Sequence, residues 1–144
     1  MTVGIIGLGI MGSAYAANLL SAGIKVVGAD PATLGRERLE AAGGETRETV
    51  GPWVADCDLI IIAVASTTAL AAVSWTLAEF LKPDQVVMET GTFAMADKLA
   101  AKEAVETGGA ILLDTPVSGT GIQAAKADLV IMASGPETAI EHAR

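Results

Sequence analysis

Short aliphatic, β-branched runs alternate along this chain with longer stretches whose apolar positions recur at helical spacing. Thr2 to Ile6 is apolar and closed by glycine, which predicts a strand only a few residues long. Met11 to Ser21 has helical periodicity and stops at Ala22-Gly23, where glycine suits the position just past a helix. Lys25 to Ala29 reads as a second strand, closed by Asp30-Pro31, and Thr33 to Ala42 as a charged helix halted by Gly43-Gly44. Glu45 to Trp53 fits a short strand and a short helix. Leu59 to Val64 is nearly all aliphatic, and such runs occur where a strand is buried on both faces, as in a parallel sheet. Thr67 to Leu81 is helical and ends before Pro83. Gln85 to Met88 reads as a strand, Ala94 to Glu106 as a helix stopped by Gly108-Gly109, and Ala110 to Leu113 as a strand.

Strands and helices that alternate through short connections predict an α/β fold: a doubly wound, mostly parallel sheet. Past Pro116 the rhythm changes. Val117 to Lys126 is rich in small residues, Leu129 to Met132 is a further strand candidate, and Gly135-Pro136 opens a helix that runs to Arg144. Residues 1–144 therefore read as one domain, cut inside its last element.

Composition narrows the function. At 51% hydrophobic and 18% charged, with mean hydropathy +0.51, the chain has ample core and is not disordered. Nine Lys and Arg against seventeen Asp and Glu give a net charge of −8, which argues against nucleic acid and against anionic membrane surfaces. The apolar runs Leu59–Ala65 and Ala69–Val73 fall short of the ~20 residues of a membrane span. No basic segment precedes the first strand, so no secretory signal is expected. The single Cys57 fits a reducing, cytoplasmic setting and excludes an internal disulfide or a cysteine-based zinc site; no metal site is expected. Flanked by Asp56 and Asp58, its thiol should be inert. Trp53 and Trp75 read as packing residues, and His142 as a surface residue.

Gly7-Leu8-Gly9-Ile10-Met11-Gly12 is a GxGxxG run that follows a strand and opens a helix. Gly7 permits the tight turn, Gly9 lets the backbone approach a pyrophosphate, and Gly12 lets the helix pack on the strand. The helix N-terminus turns unpaired N–H groups toward the phosphates. Asp30 ends the second strand, about 20 residues on, where a carboxylate accepts bonds from the adenosine ribose and disfavours a 2′-phosphate. No arginine adjoins it in Pro31-Ala32-Thr33, and Arg36 and Arg38 require a loop that bends back. Ala65-Ser66-Thr67 and Glu89-Thr90-Gly91-Thr92 each follow a strand at the carboxyl edge; their hydroxyls either cap the next helix or meet the cofactor.

Together with these motifs, Asp114-Thr115-Pro116-Val117-Ser118-Gly119-Thr120, continued by Ala124, Leu129, Met132 and Gly135, resembles the β-hydroxyacid dehydrogenase family. That family includes 3-hydroxyisobutyrate dehydrogenase and tartronate semialdehyde reductase, and its dinucleotide domain is of the 6-phosphogluconate dehydrogenase type. The resemblance runs over essentially the whole chain. It implies a Rossmann-type domain with cofactor contacts at Gly7, Gly9, Ile10, Met11, Gly12, Asp30, Val64, Ala65 and Thr92. It implies substrate-carboxylate contacts at Ser118, Gly119 and Thr120. NAD is expected ahead of NADP, with a small hydroxyacid as substrate and a homo-oligomer as the intact enzyme. The family's proton-transfer lysine lies in an all-helical C-terminal domain with no counterpart here, so this chain by itself is expected to be inactive.

Three departures stand out: Thr120, Gln123 and Ala127 occupy positions where the family usually has glycine. Thr90-Gly91-Thr92 departs as well and is closer to imine reductases. A non-catalytic dinucleotide sensor is a further reading, since it needs the glycines and Asp30 but not Ser118-Gly119. A methyltransferase is disfavoured by the third glycine.

Overall fold

The computed structural model describes residues 1–144. Six parallel strands form the main sheet: β1 (Thr2–Ile6), β2 (Lys25–Ala29), β3 (Glu45–Arg47), β4 (Leu59–Ile62), β5 (Val86–Glu89) and β6 (Ile111–Asp114). Their spatial order is β3-β2-β1-β4-β5-β6. This is the doubly wound arrangement, and the order reverses between β1 and β4, the place where such sheets bind ligands. Register across that seam pairs Val3 with Leu59 and Ile5 with Ile61.

Helices α1 (Ile10–Ser21), α2 (Thr33–Ala41), α3 (Thr67–Ala78) and α4 (Met95–Glu106) cover both faces. On one face Val3, Ile5, Val26, Leu59, Ile61, Met88 and Leu113 pack with Ala16 and Leu39. On the other Ile60, Ile62, Val87 and Leu112 pack with Leu70, Leu77, Ala101 and Val105. Both faces of β4 are buried, which is why its sequence does not alternate. Each fully buried aliphatic side chain contributes about 1.5–3 kcal/mol.

Several boundaries differ from the sequence reading. β4 stops at Ile62, because Ala63 and Val64 leave the sheet to pass beside Gly7. β5 and β6 run one residue further than the hydrophobic pattern suggests, through Glu89 and Asp114. The ambiguous segment after β3 holds a 3-10 turn at Pro52–Asp56. Buried Gln85 ties this turn to the sheet: its Nε2 donates to the carbonyls of Val54 at 2.6 Å and Cys57 at 2.7 Å. Trp53 packs against the core as expected, but Trp75 lies on the outer face of α3 with 59% of its surface exposed. No helix is long and apolar enough to cross a membrane.

Past β6 the chain leaves the main sheet. β7 (Val117–Ser118) pairs antiparallel with β8 (Val130–Ile131), and α5 (Gly121–Ala125) lies between them. α6 (Glu137–Ala143) then packs its buried Ala139 against the Met88–Leu113 face.

Candidate functional site

The glycine turn is shaped by what surrounds it. Gly7 has φ +96°, a left-handed conformation, and a Cβ there would stand 2.5 Å from the carbonyl oxygen of Ala63. A Cβ on Gly12 would overlap the carbonyl of Gly7, so α1 lies directly against the turn. Gly9 differs, since a Cβ there would meet nothing within 4 Å. Its bareness keeps space open outside the protein rather than inside it. No side chain caps α1, and its first-turn N–H groups at Ile10, Met11 and Gly12 have no intrahelical acceptor. An open Gly9 above uncapped N–H groups is what a pyrophosphate requires.

Asp30 closes β2, and its carboxylate is fixed from two sides. Oδ2 accepts from the Leu8 N–H at 2.7 Å and Oδ1 from the Ala32 N–H at 2.7 Å. The acid is thereby bound to the glycine turn itself. Beside it Ile6, Ala29, Asp30, Pro31, Glu48, Val50, Val73 and neighbours line an open cleft of about 230 Å³. One expectation needs correction. Arg36 reaches Asp30 without any loop bending back, because α2 begins at Thr33 and returns the side chain within one turn. Its Nη1 donates to the carbonyls of Asp30 at 2.6 Å and Pro31 at 2.9 Å.

Across the seam, Val64 and Ala65 follow β4 beside Gly7. The Ser66 hydroxyl accepts from the Ala69 N–H at 3.2 Å and so caps α3. Thr92 does not cap α4, whose N-cap is Ala94, and its side chain is exposed. Buried Thr90 donates to the Ile62 carbonyl at 2.9 Å and fastens the start of this loop to β4.

The segment carrying Ser118, Gly119 and Thr120 returns to the glycine turn. A Cβ on Gly121 would stand 2.5 Å from Ile10 Cγ2, and Asn18 Nδ2 of α1 donates to the Ala124 carbonyl at 2.7 Å. Ser118 is exposed, three residues before Gly121. Gly119 has φ +144°, and a Cβ there would run into Leu129. Thr120 is occupied by local structure: its hydroxyl accepts from the Gln123 N–H while Gln123 Oε1 accepts from the Thr120 N–H, a capping box for α5. Two of the three departures are thus one device. The Thr-x-x-Gln spacing was readable in the sequence.

The third departure ends the same helix. Ala127 N–H bonds the Ala124 carbonyl and Asp128 N–H the Gln123 carbonyl, with Ala127 at φ +54°. This is a Schellman motif with alanine where glycine is preferred. Ala127→Gly should therefore stabilise the protein by about 0.5–1 kcal/mol, the left-handed cost of ~1–2 kcal/mol less the entropy of a freer unfolded chain. A higher urea midpoint at unchanged m is the expected reading, and a lower midpoint contradicts it.

Two residues set aside on sequence keep minor roles. Cys57 is 6% exposed, and burial, reinforced by Asp56 and Asp58, pushes its thiol up to about 11. Burial is the larger cause, ahead of the flanking charges. His142 is exposed and 3.0 Å from the Asp58 carbonyl, near the start of β4 and away from the carboxyl edge.

Comparison with known proteins agrees with this fold. The family model for the NAD binding domain of 6-phosphogluconate dehydrogenase matches residues 2–144. L-Threonate dehydrogenase of Haemophilus influenzae is 33% identical over 144 residues, covering 97% of this chain and 48% of the relative. The structure of Mycobacterium tuberculosis 3-hydroxyisobutyrate dehydrogenase with L-serine superposes with TM-score 0.94 at 29% identity, over 99% of this chain and 49% of that one. A 3-hydroxyisobutyrate dehydrogenase from Salmonella typhimurium gives 0.91 at 31%, over 99% and 50%. The chain spans about half the length of the relatives it matches. It belongs to the family of NAD binding domains of the 6-phosphogluconate dehydrogenase type.

Proposed function

We propose that these residues are the dinucleotide-binding part of an NAD-dependent oxidoreductase acting on short 3-hydroxyacids. One observation carries the reading: the segment of Ser118 packs directly on Ile10 of the uncapped glycine turn, so one edge of the sheet offers both an anion cradle and a hydroxyl donor. The dehydrogenase names of the relatives support a hydroxylated carboxylate as substrate.

When bound, the dinucleotide supplies the centre that accepts or returns a hydride. The chain's own residues bind and orient. The first-turn N–H groups of α1 receive the pyrophosphate, and Asp30 accepts from the adenosine ribose. Val64, Ala65 and Thr92 border the nicotinamide end. Ser118 Oγ and the Gly119 N–H donate to the substrate carboxylate, while the Thr120 hydroxyl stays with its helix cap. The proton on the reacting hydroxyl is handled by a group outside these residues.

NAD⁺ should bind in preference to NADP⁺. A 2′-phosphate against Asp30 forfeits hydrogen bonds to a charged acceptor, worth about 1.5–3 kcal/mol. Because Arg36 stands close by, the lower end is expected, roughly tenfold in affinity. Calorimetric titration of both cofactors is the test, and equal or reversed affinities would remove Asp30 from this role.

A further inference from the structure

A part-buried ion cluster joins the ends of β5 and β6 on the side covered by α4. Glu89 closes β5 with 1% of its surface exposed, and Asp114 closes β6 in register beside it. Lys98 of α4, its side chain 12% exposed, reaches between them: Nζ lies 2.9 Å from Glu89 Oε2 and bonds Asp114 Oδ1. Asp114 keeps 42% of its side chain in contact with solvent, but removing the Glu89 carboxylate and most of the Lys98 ammonium from water is costly, and an apolar pair would fill the same space at least as stably. A charged cluster here calls for a reason other than stability.

The bonds of Glu89 supply one. Its Oε1 accepts from the Gly91 N–H at 2.6 Å, so the carboxylate grips the loop that carries Thr92. Its backbone carbonyl accepts from the Thr115 N–H at 2.9 Å and the Thr115 hydroxyl at 3.0 Å, on the segment that leads to Ser118. We infer that Glu89 and Lys98 are positioning residues: Glu89 sets the Gly91-Thr92 loop against the nicotinamide end of the dinucleotide, and Lys98, paired with Glu89, keeps it aimed. The inference rests on the dinucleotide reading above. Lys98 is itself no proton carrier. Burial lowers its affinity for a proton, but the Asp114 and Glu89 carboxylates outweigh that and hold the ammonium above the usual lysine range. The other cation lining this hollow, Lys102, is paired with Glu106.

The test compares NAD⁺ with ADP-ribose, which has the adenosine and pyrophosphate but no nicotinamide, on the full chain. Lys98→Met leaves Glu89 buried beside Asp114 without its cation. It should weaken NAD⁺ about tenfold or more, since small misplacements at a reacting end are strongly felt, while ADP-ribose changes less than about twofold. The double variant Glu89→Gln/Lys98→Met keeps an acceptor for Gly91 and carries no buried charge of its own, so it should restore NAD⁺ binding. Should Lys98→Met fail to fold, Glu89→Leu/Lys98→Met is compared with that double variant; only the acceptor differs, and the leucine form should lose NAD⁺ selectively. Unchanged NAD⁺ affinity, or equal losses for both ligands, overturns the positioning role and leaves the dinucleotide reading standing. A parent chain that binds neither ligand overturns both.

Discussion

Gly9→Ala should lower the affinity for NAD⁺ at least tenfold and scarcely move the unfolding midpoint, whereas Gly12→Ala should do its damage to the fold. At Gly9 an added Cβ meets no protein atom within 4 Å, and φ of −70° suits alanine. The only fold cost is a poorer N-cap residue, about 0.5 kcal/mol. The methyl group instead stands where a pyrophosphate must approach, and one lost bond to a charged group is worth about 1.5–3 kcal/mol, at least tenfold in affinity. At Gly12 the Cβ overlaps the Gly7 carbonyl. Neither partner is a side chain that can rotate aside, so α1 must lift from the turn. Overpacking costs ~1–3 kcal/mol in ordinary cores, and a backbone clash belongs at the top of that range, against a total stability of ~5–15 kcal/mol. Urea unfolding of both variants beside calorimetric NAD⁺ titration separates the two roles. Equal midpoints for the two variants would contradict the packing argument, and full NAD⁺ affinity in Gly9→Ala would move the pyrophosphate elsewhere.

The parts legible in the sequence share one property: each follows from a local rule. The aliphatic run at Leu59–Ile62, the glycines before α1 and the acid closing β2 sit in a fixed order along the chain. The doubly wound parallel sheet followed from alternation alone, though not its strand order. What sequence missed depends on contacts between distant residues. Strand ends were placed before Glu89 and Asp114, because a carboxylate reads as a boundary. They belong to the strands because Glu89 pairs in register with Ile62 and with Asp114 across the sheet, and Lys98 of another element meets both carboxylates there. Arg36 was discounted because its distance along the chain hid the turn of α2 that returns it to Asp30. Trp75 was assigned to packing on residue type, yet it faces outward from α3. The capping box of α5 is a different kind of miss. Thr120 and Gln123 stand at the right spacing, yet in the sequence they stand out as departures from a family's glycines rather than as a helix start.

The largest effect expected is on turnover. These 144 residues should bind NAD⁺ and leave short hydroxyacids unoxidised. Binding needs the α1 N-terminus, Asp30 and the cleft beside it, all of which are in place. Oxidation needs in addition a group near Ser118 that removes the hydroxyl proton, and Lys98, His142 and Cys57 are each otherwise placed or engaged. Lys98 is locked between two carboxylates and stays protonated. His142 lies against the Asp58 carbonyl, away from the carboxyl edge of the sheet. The Cys57 thiol is buried and its ionisation pushed to about 11. General acid–base catalysis contributes about 10²–10⁴-fold, and positioning of both reactants another ~7–11 kcal/mol. With Lys98, His142 and Cys57 unable to serve Ser118, the acid–base share at least should be lost. Residues 1–144, expressed alone, should show saturable NAD⁺ binding by calorimetry and no NADH absorbance above the uncatalysed background across a panel of short 3-hydroxyacids. Turnover at ordinary enzyme rates would mean that a proton acceptor within this chain reaches Ser118, and would shift the search to Lys126, the ionisable side chain that follows α5.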